Sequence, residues 1–177
     1  GAVIEIFCLE PYETFRDYDS LFRQTESVQW KCMIGKAGKW KEKQLTKEII
    51  IGNEKVILTA ELAEKLTDSF VVRFSWKPAG YTFGDILDAA GVTPLPPYIK
   101  RKAEKEDETT YQTVYSAHEG SVAAPTAGLH FTKEMMDGFK ARNIPTLFTT
   151  LHVGAGTFKP VKSQTMEGHI MHAEWMD

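Results

Sequence analysis

Cysteine and long apolar runs are what this sequence most clearly lacks. Its 177 residues include two cysteines, Cys8 and Cys32, which offer neither a disulfide framework nor the spacing of a metal site. We therefore expect both to be buried free thiols. No apolar run is long enough to span a bilayer and no signal peptide is visible, so we expect a cytoplasmic protein without membrane contacts.

An excess of positive charge is lacking too. The net charge is −3, with 42% hydrophobic and 25% charged residues, which is a globular balance and not a basic signature for nucleic acid. Locally, residues 31–47 carry six lysines and one acid, close to Trp30 and Trp40. Such a patch can bind phosphates and stack a base. A solvated lysine-rich edge that discourages strand pairing is the alternative, and charge patterning alone favours it.

Strand-like sequence dominates the first part of the chain. Five short apolar, β-branched runs are separated by polar, glycine-rich or charged turns: VIEIFCL, VQWKCMI, EIIIG, KVILTA and SFVVRFS. They predict a small β-barrel domain over residues 1–78, with a sandwich as the other solution. The stretch AELAEKLTDS is ambiguous between a helical turn and a hairpin loop.

Helical patterns follow, and they predict an α/β domain over residues 79–177, of which this chain holds a part. Thr82 is a candidate N-cap for a helix that Gly91 would end. Thr132 is a candidate N-cap for a second helix that ends near Asn143. DETTYQTVYS favours helix weakly over strand, and IPTLFTTLHV predicts a buried strand. Both ends of the chain read as strands, so we expect an internal piece of a longer protein.

The segment GSVAAPTAGLHFT holds one ionisable side chain, His130, among small residues. Small residues such as Gly128 permit close approach of a ligand to the backbone. The amides of the following helix favour an anion and would keep the His130 imidazole neutral. A structural histidine is the alternative, and taken singly it is the more frequent case.

The segment TLHVGAGTFKPV places His152 at the end of a predicted strand, where ligands usually bind in an open α/β sheet. Its two glycines, Gly154 and Gly156, lack the third glycine and the helix of a dinucleotide-binding fingerprint. In EGHIMHAEW, His172 and Glu174 share one face of a strand while His169 faces away. A hydrogen-bonded His–Glu pair is therefore more natural there than a three-ligand zinc site.

These three segments, with LPPYIKR and YQTVY and in this order, closely resemble the S-adenosylmethionine:tRNA ribosyltransferase-isomerase family of the queuosine pathway. The opening AVIEIFCLEP is similar to the same family's barrel entry. The resemblance covers essentially the whole chain, whereas a family member is considerably longer. It implies an α/β domain with a β-barrel inserted in it.

The resemblance also implies an activity. Family members transfer and isomerise the ribosyl group of S-adenosylmethionine onto 7-aminomethyl-7-deazaguanine at the tRNA wobble position. The product is epoxyqueuosine in tRNA, with release of adenine and methionine. S-adenosylmethionine is then a consumed substrate, so we expect no cofactor and no metal. We expect a monomer with tRNA as its macromolecular partner.

Site residues are expected on the same grounds. Histidine suits both proton removal beside the sulfonium and protonation of the departing adenine. The residues expected to be catalytic are His130, His172 and Glu174. The residues expected to bind the substrate are Pro125, Thr126, Gly128, His152, Gly154, Gly156 and Thr157. The residues expected to contact tRNA phosphates are Arg101, Lys36, Lys39 and Lys41.

Two other classes of function fit parts of the sequence. A metal-dependent hydrolase could use the histidines, and it would contain stoichiometric zinc. A noncatalytic RNA-binding module could use the lysine-rich stretch, and it would bind tRNA without releasing adenine from S-adenosylmethionine.

Overall fold

The computed structural model describes residues 3–12, 18–92, 95, 99–104, 106–118, 121–154, 163–168, 171 and 175–176, without the side chains of Glu108 and Trp175. The chain divides into two compact units, Gly1–Val92 and Thr93–Asp177. The domain boundary that composition predicts between residues 78 and 79 stays a prediction. In the described ranges, no helix has both the length and the apolar character needed to cross a membrane.

Five antiparallel strands form the sheet of the first unit, and each contains all or most of one of the apolar runs in the sequence. The strands are β1 (Glu5–Pro11), β2 (Ser27–Gly35), β3 (Gln44–Ile51), β4 (Glu54–Lys65) and β5 (Phe70–Lys77). Their order in the sheet is β1-β2-β5-β4-β3. A short helix, α1 (Tyr18–Phe22), lies between β1 and β2 along the chain.

The predicted barrel is not supported. Within the described residues, β1 and β3 lie at opposite edges of the sheet and do not pair with each other, so the fold is mixed α/β with an open antiparallel sheet. Alternating apolar residues specify strands, whereas closure depends on strand tilt and stagger, which local pattern does not encode. The ambiguous stretch AELAEKLTDS continues β4, and Leu66 N–H then donates to the Ser69 carbonyl at 2.9 Å to close a hairpin.

The core of the first unit lies between the sheet and helix α2 (Phe83–Ala90). Phe83 is 1% exposed, and its ring centroid lies 5.0 Å from that of Trp30 and 5.9 Å from those of Phe74 and Trp76. Phe22 of α1 stacks on it at 6.1 Å. One phenylalanine therefore joins both helices to the strands, because aromatic rings bury more area than any other side chains.

Helix α2 begins and ends as the sequence predicts. The Thr82 hydroxyl accepts from Asp85 N–H at 3.2 Å, and the Asp85 carboxylate accepts from Thr82 N–H at 2.8 Å, which completes a capping box. The Thr82 hydroxyl also donates to the Asp85 carboxylate at 2.7 Å, and this bond together with that from Thr82 N–H lowers the pKa of Asp85. Gly91 N–H donates to the Leu87 carbonyl at 2.6 Å, and a Cβ on Gly91 would lie 2.5 Å from that oxygen. Glycine is thus required there for space.

The two cysteines are direct partners across strands β1 and β2. Cys32 is fully buried and Cys8 half-buried, so the expected burial of both thiols is confirmed for Cys32 and partly for Cys8. The Cys8 sulfur beside it, together with burial, raises the pKa of Cys32 well above the ordinary thiol value.

The second unit contains three helical segments and two strands of two residues each in its described part. They are α3 (Asp107–Thr110), a 3₁₀ turn (Gly128–His130), α4 (Lys133–Ala141), β6 (Leu151–His152) and β7 (Trp175–Met176). Thr132 caps α4 as predicted, since its hydroxyl accepts from Met135 N–H at 3.3 Å. Asn143 follows the helix in the left-handed region, with φ 53°.

Two sequence-based predictions are wrong in this unit. DETTYQTVYS forms only the single turn of α3, and residues 112–116 are not helical. The predicted buried strand is confined to Leu151 and His152, whereas Leu147 is 95% and Phe148 69% exposed. Apolar, β-branched sequence favours a strand, but a strand also needs a hydrogen-bonding neighbour, and β6 has only the two residues of β7 in the described part.

We predict that Phe83→Ala destabilises the first unit by about 3–5 kcal/mol, because it removes a buried ring that packs against four other aromatic side chains. The measurement is urea unfolding followed by tryptophan fluorescence. The control is Ile50→Ala on strand β3, where the side chain is 59% exposed. We expect it to cost less than about 1 kcal/mol. Equal costs for the two variants would contradict the central position of Phe83.

Candidate functional site

Two of the distinctive sequence segments lie side by side in the second unit. Val122 N–H donates to the Val153 carbonyl at 2.7 Å. The Ser121 hydroxyl donates to the Leu151 carbonyl at 3.3 Å and accepts from Val153 N–H at 3.2 Å. The start of the loop that carries His130 is therefore bound to the strand that carries His152.

The third segment reaches the same place through its end. Strand β7 pairs antiparallel with β6, so that Leu151 lies opposite Met176 and His152 opposite Trp175. His152 is 8% exposed. Several expected site residues belong to these segments but lie outside the described residues: Gly156, Thr157, His172 and Glu174.

Tight turns fix the backbone of the loop from Ala124 to Phe131. Four N–H groups donate to carbonyls two or three residues earlier: Thr126 to Ala124 at 2.9 Å, Gly128 to Pro125 at 2.8 Å, Leu129 to Thr126 at 3.3 Å and Phe131 to Gly128 at 3.2 Å. His130 is the last residue of the 3₁₀ turn in this loop, and its side chain is exposed. The alternative of a core histidine is therefore wrong for His130, and the buried histidine of this region is His152.

The small residues of the loop have different surroundings. Pro125 is half-buried and Thr126 exposed. Gly128 is buried, and the space in front of its α-carbon is filled by side chains of Thr113 and Tyr115. The groups that approach the backbone closely at Gly128 are thus side chains of the protein itself.

The N-terminus of α4 carries its own carboxylate. Glu134 lies in the first turn, and hydrogen bonds from its own backbone N–H and from Thr132 lower its pKa. A negative side chain at this end interacts favourably with the helix dipole. An external anion at this position would therefore compete with Glu134.

Arg101 and Asp107 form a bidentate ion pair. The two guanidinium nitrogens of Arg101 lie 2.6 and 2.7 Å from the carboxylate oxygens of Asp107, which also accept from Glu104 N–H at 2.7 Å. The Asp107 side chain is 3% exposed and that of Arg101 47%. Arg101 lowers the pKa of Asp107 to about 2. Asp107 therefore anchors Arg101, a role that the sequence did not indicate.

The other expected tRNA contacts lie in the first unit, in the loop between β2 and β3. Lys36, Lys39 and Lys41 are exposed, and Lys36 adopts a left-handed conformation at φ 58°. Trp30 is 2% exposed, so it cannot stack a base as the sequence allowed. Trp40 is half-buried against the core, and its indole N–H has no partner within the described part of the chain.

In the described ranges, no three His, Cys, Asp or Glu side chains come together, so these ranges contain no set of metal ligands. The histidines and Glu174 of EGHIMHAEW lie outside those ranges. The conspicuous polar groups of the second unit are therefore His130 on its loop, His152 on β6 and the Arg101–Asp107 pair.

Comparison with known proteins gives a consistent result. The family model described as queuosine biosynthesis protein matches residues 1–177. The S-adenosylmethionine:tRNA ribosyltransferase-isomerase of Caldanaerobacter subterraneus subsp. tengcongensis is 41% identical over 156 residues, which is 88% of this chain and 43% of the relative. The Maricaulis maris protein of the same name is 42% identical over 158 residues, with the same two shares.

A third relative with this name, from Acidithiobacillus ferrooxidans, is 54% identical over 110 residues, or 62% of this chain and 32% of the relative. The chain thus spans less than half the length of these curated relatives. No solved structure matches it significantly.

We predict that Asp107→Asn removes a contribution to stability that the wild-type protein loses only in acid. The folded pKa of Asp107, about 2, lies below its ordinary value of 3.8. A carboxyl with a lowered pKa stabilises the fold above its unfolded pKa, and the effect disappears as the pH falls toward the folded pKa. The urea midpoint of the wild type should therefore drop more steeply from about pH 5 to pH 2 than that of the variant.

The control for this prediction is Asp137→Asn, which changes an exposed carboxylate on α4. It should leave the slope of the wild-type curve unchanged. If the Asp107→Asn and wild-type curves ran parallel over this range, the ion pair would contribute nothing.

Proposed function

The chain belongs to the queuosine biosynthesis protein family, and we propose that the protein it represents is an S-adenosylmethionine:tRNA ribosyltransferase-isomerase. It transfers the ribosyl group of S-adenosylmethionine to 7-aminomethyl-7-deazaguanine in the wobble position of tRNA. Epoxyqueuosine forms in the tRNA, and adenine and methionine leave. S-adenosylmethionine is consumed, and the protein works as a cytoplasmic monomer without a further cofactor.

The observation that carries this proposal is the match of the family model over all 177 residues, supported by relatives that are 39–54% identical and share one name. The geometry of the second unit fits it. The three distinctive sequence segments are joined by the Val122–Val153 hydrogen bond and the β6–β7 pair. This adjacency supports the proposal of a single site at which a nucleoside contacts all three segments.

The chemistry requires a base and an acid. The sulfonium of S-adenosylmethionine acidifies the adjacent ribose carbon, so a base can remove a proton there. Adenine leaves more readily when it is protonated. Histidine performs both tasks near neutral pH.

We assign this acid–base role first to His130. Its side chain is exposed while its backbone is fixed by the turns of the loop, so it can meet a substrate without losing much conformational freedom. His152 lies in the paired strand and is buried, which suits a group that orients the nucleoside. His172 and Glu174 complete the proposed catalytic set, and Pro125, Thr126, Gly128, Gly154, Gly156 and Thr157 shape the pocket.

The lysine loop, residues 36–43 with Lys36, Lys39 and Lys41, is proposed to bind tRNA phosphates. These side chains are exposed and their loop adjoins β3, an edge strand of the sheet. Arg101 joins them in the proposal through the part of its guanidinium that Asp107 leaves exposed. The layered α/β domain implied by the family resemblance belongs to the proposal as well.

We predict that His130→Ala, made in the full-length protein, slows single-turnover release of adenine roughly 10²- to 10⁴-fold. The assay mixes excess enzyme with S-adenosylmethionine and tRNA that carries the precursor base, and follows adenine by chromatography. The control is His118→Ala, which removes another exposed histidine outside the three segments. An unchanged rate for His130→Ala would remove this residue from the mechanism.

The same assay separates the other classes of function. Tight tRNA binding without adenine release by the wild type would favour a noncatalytic RNA-binding module. Stoichiometric zinc in the purified protein, with activity lost on chelation, would favour a metal-dependent hydrolase.

We predict that the triple variant Lys36→Gln, Lys39→Gln and Lys41→Gln binds tRNA more weakly and with a shallower salt dependence. Each lost phosphate contact should reduce the slope of log K against log salt by about 0.7–0.9. A matched control carries Lys55→Gln, Lys65→Gln and Lys77→Gln, which removes the same charge from exposed strand positions of the same unit. Lys55 already pairs with Glu48 at 2.7 Å. The same loss of affinity in both variants would show only a general effect of charge.

A further inference from the structure

Gly128 is a point at which another segment of the chain meets the loop that carries His130. A Cβ built on Gly128 would overlap the hydroxyl oxygen of Tyr115 and would lie 2.7 Å from Cγ2 of Thr113 and 3.4 Å from Cζ of Tyr115. Real Cβ contacts essentially never come below 3.0 Å. Gly128 does not have a positive φ, so the glycine is needed for space and not for its conformational freedom.

The ring of Tyr115 contacts the same loop at a second place. Its centroid lies 6.1 Å from that of Phe131 in an edge-to-face arrangement, and Phe131 directly follows His130. It also lies 6.4 Å from the ring of Phe148. Tyr115 thus touches the loop on both sides of His130, at Gly128 through the hydroxyl and at Phe131 through the ring.

Burial does not account for this arrangement. Tyr115 is 40% exposed and Phe148 69% exposed, so the ring is not a core side chain of the second unit. Thr113, by contrast, is 9% exposed and fills the remaining space beside Gly128. The contact with Gly128 therefore acts locally, on the shape of the loop between Pro125 and Phe131.

We propose that Tyr115 is a positioning residue, whose hydroxyl and ring hold the loop at Gly128 and Phe131 and so set the direction in which His130 is presented. This inference rests on the proposed function of His130. It gives a role to the YQTVY motif, which the proposed chemistry does not otherwise use. Displacement of a reacting group by about 1 Å can cost on the order of 100-fold in rate.

The test uses the full-length protein and the adenine assay over a range of S-adenosylmethionine concentrations up to saturation. We expect Tyr115→Ala to reduce the rate roughly 10- to 100-fold with little change in KM, because the substrate still binds while His130 is misdirected. Tyr115→Phe keeps the ring and loses only the hydroxyl, so it should retain more activity than Tyr115→Ala. Equal rates for wild type, Tyr115→Ala and Tyr115→Phe would overturn the proposal.

A second arm tests the fit at Gly128 directly. Gly128→Ala is made together with Thr113→Ser, which removes the methyl group at 2.7 Å, so that the Tyr115 hydroxyl is the remaining obstacle. This double variant should be slow, and adding Tyr115→Phe should restore much of its rate. The same Tyr115→Phe change should slow the protein that keeps Gly128. A change that harms one background and rescues the other is not expected from a general loss of stability.

Controls separate this proposal from the proposed function. Gly138→Ala adds a methyl group on α4 where nothing lies within 4 Å, and Thr113→Ser alone keeps Gly128; both should behave as wild type. Amide hydrogen exchange of residues 124–131 should be faster in Tyr115→Ala and unchanged in Gly138→Ala, whether or not adenine is released. A wild type that releases no adenine refutes the proposed function, whereas unchanged exchange in Tyr115→Ala refutes the positioning role.

Discussion

The hydrogen bonds between residues 121–122 and 151–153 are the constraint on which the candidate site depends. They align the start of the His130 loop with strand β6, and β6 in turn pairs with the end of the EGHIMHAEW segment. Ser121 contributes twice, since its hydroxyl donates to one backbone group and accepts from another. Through this alignment, the three stretches of unusual sequence become hydrogen-bonded neighbours in the second unit.

Among these neighbouring segments, the two histidines differ in exposure, and the difference follows from their backbone positions. His130 ends a 3₁₀ turn and points into solvent, whereas His152 lies in a strand and is buried. The backbone N–H groups of the turn donate to carbonyls of the same loop. The first N–H groups of α4 donate to the side chains of Thr132 and Glu134. Among the described residues of the candidate site, side chains rather than free backbone donors are therefore the available polar groups.

The sequence pattern correctly predicted those helices and strands that are determined by residues close together along the chain. The five strands, the capping box of α2 and the Thr132 cap of α4 depend on residues within one turn or one strand of each other. Prediction failed where distant residues decide the outcome. Closure of the sheet depends on how β1 and β3 are placed, and the burial of residues 144–150 depends on a strand to pair with. Trp30 looked available for a base but fills the core beneath Phe83.

The site shows the same division. His130 and His152 could be named from their segments, because small residues and glycine turns mark unusual backbone. The Arg101–Asp107 pair and the Tyr115–Gly128 contact could not, because spacing along the chain does not state which side chains will touch. The tRNA-binding lysines remain a proposal from charge, although their loop also contains a 3₁₀ turn (Ala37–Lys39), in which Lys39 N–H donates to the Lys36 carbonyl at 2.8 Å.

The facing cysteines of β1 and β2 have a consequence for a protein proposed to handle a sulfonium compound. Sulfonium ions alkylate nucleophiles, and the thiolate is the nucleophilic form of cysteine. Cys32 is sealed in the core, and its raised pKa keeps the sulfur protonated at neutral pH. The Cys32 thiol is thereby protected from alkylation by the sulfonium compound that the proposed function assigns as substrate.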